Sequence, residues 1–246
     1  MTEAPGSSPG LPFFSFRRPG RALVLAAVGL VATIAMVALA PAWRSPLVDS
    51  GAPAWTITLV DIVLINLPMV LAVIAAWRVA GVRRRDLDRR TRIEARGLDV
   101  LLGLALAATM RGIVELVVPT SGGLGGALLD ADAATVVLGL VVLVIGYVLV
   151  SPIVEELFFR GLTQGAITQL GGCSWLARAA AIAVSTAMFV LVHIGPIGVT
   201  PTGALVVASI VVGIGCGSLV AVTGRVTGAV VAHVAFNGSG VILLLA

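Results

Sequence analysis

Charge is what this sequence has least of. Of its 246 residues, 11% are Asp, Glu, Lys or Arg and 59% are hydrophobic, with a mean hydropathy of +1.10. Ordinary soluble domains are about a quarter charged and about half apolar. A soluble globular domain, a Rossmann domain, a disordered chain and a coiled coil are therefore excluded. Lysine is absent, so all 16 basic residues are Arg, a bias that fits GC-rich coding sequence. Cysteine is nearly absent: Cys173 and Cys216 form no CxxC pair and support neither a disulfide framework nor a zinc site. Half of the arginines lie between Arg78 and Arg96. That run is short and is interrupted by Asp86, Asp88 and Glu94, which argues against nucleic-acid binding.

What is abundant is apolar sequence in blocks of about 20 residues, the length a helix needs to cross the hydrocarbon core. The expected fold class is all-α: a polytopic transmembrane helical bundle of about seven spans. Residues 1–20 read as a disordered cytoplasmic tail, rich in Pro, Gly and Ser over 1–16. Residues 21–132 hold three N-terminal spans, near 22–40, 55–80 and 99–119, with an Arg-rich cytoplasmic loop at 81–97. The first apolar run is longer than the h-region of a signal peptide, so it is expected to remain as a span. Residues 133–246 form the core. A long segment over 133–169 is expected to kink at Pro152, or to split into two spans and give eight. Further spans lie near 175–194, 201–222 and 226–245. Glycines at small-xxx-small spacing, Gly213 with Gly217 and Gly224 with Gly228, predict close helix packing.

The loops set the orientation. A cytoplasmic N-terminus leaves only Arg44 outside, whereas the reverse exports nearly every arginine. The expected location is a bacterial plasma membrane, with the N-terminus inside.

From Ala133 onward the ionisable side chains are few: Glu155, Glu156, Arg160, Arg178, His193, Arg225 and His233. Arg178 and Arg225 fall at span ends. The other five lie within apolar runs, where a charge costs at least about 2.5–3.5 kcal/mol on insertion scales, and they are functional candidates for that reason. Glu156 and Arg160 are four apart and can pair on one helix face. Glu155 points about 100° away, toward a reacting group. His193 follows Phe189 by four and is expected over that ring. His233 and Asn237 are again four apart, which suits gripping one oxygen. Phe158, Phe159 and Phe189 read as packing, and Asp61, Arg111 and Glu115 as an internal polar network. Depth is the open point. Glu155 and His193 stand 18 and 20 residues from their shared turn, but His233 stands only about nine from its own. With level turns it is about 15 Å too shallow at 1.5 Å per residue.

A carboxylate and an imidazole in a dry cavity can activate water, and two hydrogen-bonding side chains can hold the oxyanion of an attacked carbonyl. That is hydrolysis of a peptide bond in or at the membrane. The residues also carry a resemblance. Glu155-Glu156-Leu157-Phe158-Phe159-Arg160 resembles the EExxxR motif of the CPBP (Abi) family, Phe189–His193 its FxxxH motif, and His233–Asn237 its HxxxN motif. The family includes type II CAAX prenyl proteases and relatives of lysostaphin resistance protein A. The resemblance implies that Glu155 and His193 activate water, that His233 and Asn237 form the oxyanion hole, and that Glu156 and Arg160 support them. The family is often labelled metalloprotease, yet the preferred reading of its site is a metal-free Glu/His pair. This sequence has no HExxH zinc helix. No cofactor is expected, with a divalent ion as the alternative. The expected partners are membrane lipid and a protein or peptide substrate, CAAX-type or lipidated by the same resemblance, with no nucleic acid. Two other classes stay open. One is a non-catalytic scaffold or bacteriocin-immunity factor. The other is a proton-coupled transporter, although no internal inverted repeat is seen.

Overall fold

In a computed structural model the apolar blocks become, among the described residues, seven helices each long and apolar enough to cross a membrane. The structure describes residues 14–81, 97–119, 133–194 and 203–245. The Arg-rich loop apart from its ends, the acidic Gly-rich stretch 120–132 and residues 1–13 of the expected tail lie outside the described residues. We number the helices α1 (Pro19–Asp49), α2 (Ala54–Gly81), α3 (Gly97–Val117), α4 (Ala133–Leu170), α5 (Trp175–Ile194), α6 (Gly203–Thr223) and α7 (Thr227–Leu245). Among the described residues there is no β-sheet, and the bundle is all-α. Helix α1 packs on α2, α3 on α7 and α5 on α6, while α4 runs among these pairs.

Helix α4 does not break at Pro152, so the eight-span alternative falls away. It widens instead. Val144–Val150 and Glu156–Gln164 are π-helical, with the short α-helical turn Ser151–Glu155 between them. Pro152 explains the first widening in part. Its missing N–H removes one donor from the helix ladder, and the Ser151 N–H reaches back to the Gly146 carbonyl. The Tyr147 carbonyl is then left for a partner from another helix. Wide turns of this kind recur at functional sites.

The expected tail needs correcting at its C-terminal end. Phe14 and Phe16 are buried, 2% and 1% exposed. Phe14 stands edge-on to Trp77 with ring centroids 5.5 Å apart, and the Gln169 side chain brackets the segment. Its Oε1 accepts from the Phe16 N–H at 2.9 Å, and its Nε2 donates to the Phe14 carbonyl. Arg17 N–H donates to the Gly81 carbonyl at 2.8 Å. Three phenylalanines in four residues outweigh the surrounding Pro, Gly and Ser.

The small-residue stripe of α6 packs as expected. A Cβ on Gly213 would stand 2.5 Å from Thr186 Cγ2, and one on Gly215 would stand 2.8 Å from Met110 Sδ. Gly224 is a correction: it lies in the α6–α7 turn with φ +67°, so it is a turn glycine and not half of a packing pair. Gly213→Ala is expected to destabilise by about 1–3 kcal/mol through overpacking. Adding Thr186→Ser, which removes the obstructing methyl, should recover most of the loss in a thermal melt. A full loss in both variants would place the strain elsewhere.

Candidate active site

The five ionisable residues of the core meet at one place. Glu156 and Arg160 pair as their spacing predicts, with Oε1 to Nη1 at 3.1 Å and side chains 0% and 1% exposed. Arg160 also donates through Nη2 to the Val212 and Gly213 carbonyls of α6, at 3.2 and 3.3 Å. One turn on, Gln164 Nε2 donates to the Gly217 carbonyl at 2.9 Å. Both steps join residues 53 apart, so α4 and α6 run parallel and in register. The guanidinium lies over the Phe189 ring, 4.7 Å from its centroid.

This register closes the depth gap. The Cys216 thiol contacts the Ala229 carbonyl at 3.7 Å, which brings Ala229 near the level of Gln164. Four residues further, His233 reaches α4. Its Nδ1 lies 2.9 Å from Glu156 Oε1, and its Nε2 lies 3.7 Å from Glu155 Oε2. Glu156 therefore joins Arg160 to His233. With Nδ1–H donating to that carboxylate, Nε2 is the nitrogen turned to Glu155.

His193 sits as the spacing predicts, its ring 4.3 Å from Phe189 between centroids. Its Nδ1–H donates to the Phe189 carbonyl at 2.8 Å, which leaves Nε2 as the acceptor. Phe189 also meets His233 edge-on at 5.7 Å, so one ring spaces the two imidazoles. Asn237 Nδ2 donates to the Tyr147 carbonyl at 3.0 Å, the group released by the wide turn before Pro152. One of its two amide hydrogens remains for other use.

Glu155, His193, His233 and Asn237 all line one cavity of about 580 Å³. Glu156 and Arg160 stand behind its wall and complete the six residues singled out in sequence. The imidazole set against the carboxylates is His233, whereas the spacing argument had paired Glu155 with His193. The polar residues of the N-terminal spans differ from expectation too, because they form two groups. Arg111 bonds Glu115, Ser239 and the Phe236 carbonyl. Asp61 takes Arg44 in a two-point pair, with Nε at 3.0 Å and Nη2 at 2.9 Å, and accepts from Trp43 as well. Asp61, Arg44 and Asn66 line the same cavity, a role that sequence reasoning missed. The available signal was a carboxylate inside an apolar span.

Residues 137–239 match the family model described as type II CAAX prenyl endopeptidase Rce1-like. The matched span runs through α4–α7 with every motif residue inside it, which supports membership of the CPBP/CAAX-protease family of integral-membrane peptidases. Neither the curated proteins nor the solved structures give a match.

Proposed function

We propose that the protein is an intramembrane endopeptidase in which Glu155 acts as general base toward water. The observation that carries this reading is the convergence of Glu155 and two imidazoles on one cavity, with His233 held by the buried Glu156–Arg160 pair. Water attacks the carbonyl carbon and its proton passes to Glu155. The oxyanion is held by the remaining Asn237 N–H, and by His233 when that ring carries a proton on Nε2 as well as Nδ1. Glu156 faces the other side of the ring and compensates its charge. As the C–N bond breaks, the proton returns from Glu155 to the leaving amine. His193 Nε2 accepts a hydrogen bond from water or the amine and orients it.

The donor geometry favours metal-free chemistry. Glu156 Oε1 already serves Arg160 and His233, which takes that oxygen out of a ligand set. Among the described residues no three His, Cys, Asp or Glu side chains gather as ligands, and a catalytic zinc ordinarily has three protein ligands. Protein purified through chelator should keep its cleavage rate. Loss of activity that is restored by added zinc would reverse this assignment.

The reading is tested by expressing wild type and Glu155→Ala at matched levels in native membranes and profiling new protein termini by mass spectrometry. Termini that depend on the wild type are expected, and they would also identify the substrate. Identical profiles from two folded, abundant proteins would favour a scaffold, or a relay in which Glu155→Ala loses pH-dependent transport.

A further inference from the structure

The two ends of the bundle differ in charge and in packing. Cross-contacts gather one set of helix ends: Arg17 with Gly81, Phe16 with Gln169, Arg178 with Ala221, and Arg225 with Asp99. Thirteen of the 16 arginines belong to this end by position in the chain. They are Arg17, Arg18, Arg21, Arg78, Arg178 and Arg225, with seven more in the sequence between Gly81 and Gly97. Arg111 and Arg160 are internal. Arg44 alone belongs to the opposite end, and Asp61 compensates its charge at 2.9 Å.

The lining of the cavity stops short of the arginine-rich end among the described residues. Phe158, Phe159 and Leu162 fill that side with no exposed surface, and Gln164 bonds across it to α6. Toward the other end its lining, among the described residues, runs out to the helix termini. His193 is one residue from the end of α5, Leu205 is the third residue of α6, and the Arg44 side chain is 47% exposed. From Leu205 at the mouth to Val212 beside Arg160 is seven residues, about 10 Å along a helix.

Arginine-rich ends stay cytoplasmic. We propose that the cavity opens to the extracytoplasmic face, so that its substrate is an extended segment of a membrane-anchored or exported protein on that face and not a cytosolic C-terminus. The side of opening stands on charge and packing alone, whereas the substrate class rests on the peptidase reading.

The two cysteines make the test direct. Cys216 is fully buried, while Cys173 is part-exposed in the α4–α5 turn at the arginine-rich end, with φ +59°. A membrane-impermeant maleimide applied to intact cells should leave wild-type Cys173 unlabelled and label it after permeabilisation. In the variant Cys173→Gly/Leu205→Cys, whose glycine suits the left-handed backbone, the thiol at 205 should label in intact cells. Labelling of Cys173 from outside, or of position 205 only after permeabilisation, would overturn the proposal. The wild-type chain gives the first readout without any substitution. Wild-type-dependent termini should then map to extracytoplasmic segments, and termini in cytosolic segments would overturn the substrate class. A complete lack of such termini, with Cys173 shown to be inside, would strike the peptidase reading and leave the side of opening standing.

Discussion

Glu155→Gln is expected to leave a folded protein that cleaves about 10²–10⁴-fold more slowly than wild type, the range a positioned acid–base group supplies. The expectation of intact folding comes from its surroundings. The Glu155 side chain is 14% exposed and lines the cavity, and its ionic neighbour, His233, stands at 3.7 Å. Gln keeps the shape and gives up only the capacity to accept and return a proton. Glu156→Gln provides the contrast, because that carboxylate is fully buried between Arg160 and His233. Losing its charge leaves a buried guanidinium without its counter-ion, so the melting temperature should fall along with the activity. Product formation from a substrate identified by its new termini, set beside thermal melts in detergent, separates the two cases. A Glu155→Gln enzyme that keeps activity within a few-fold would remove Glu155 from the chemistry. An unchanged melt for Glu156→Gln would deny it the supporting role.

The parts of this molecule legible in its sequence are those that the membrane dictates. Bilayer thickness fixes the length of an apolar block, so all seven spans could be located, six within about two residues at each end and the first ending nine residues short of Asp49. The same solvent makes an ionisable side chain conspicuous, and Glu155, Glu156, Arg160, His193 and His233 stood out in a stretch almost free of charge. Pairings within one helix followed from spacing, as with Glu156 and Arg160 or Phe189 and His193. Pairings between helices did not. The depth of His233 stayed open because counting residues from a turn assumes level turns, whereas α4, α6 and α7 are registered by contacts such as Gln164 to Gly217 and Cys216 to Ala229. The Asn237 partner was hidden for another reason. It is a backbone carbonyl released by a wide turn, and residue types do not record which carbonyls lack an internal donor. The Arg44–Asp61 pair was missed because Arg44 served only as a marker of orientation. Phe14 and Phe16 were lost in the average composition of the tail.

Arg160→Met is expected to destabilise the fold by about 3–5 kcal/mol, the usual result of removing one partner from a buried ion pair. Four interactions end at this guanidinium. It faces Glu156 at 3.1 Å, donates to two carbonyls of α6, and lies over Phe189, whose ring spaces the two histidines. Met retains the apolar stem and removes the charge, so the loss reports on the head group and not on a cavity. Arg160→Lys should rescue little, since a single ammonium cannot reproduce the planar fork that reaches Glu156 and α6 together. The double variant Arg160→Met/Glu156→Gln discriminates between explanations. If the damage is an uncompensated buried carboxylate, neutralising it should return much of the lost stability, giving a coupling of about 0.5–3 kcal/mol in a double-mutant cycle. Activity should not return with it, because the carboxylate that holds His233 through Nδ1 and compensates its charge is gone. Stability recovered together with activity would mean that the pair serves only the fold. Simple additivity of the two losses would mean that the connection from Arg160 through Glu156 to His233 carries no energetic coupling.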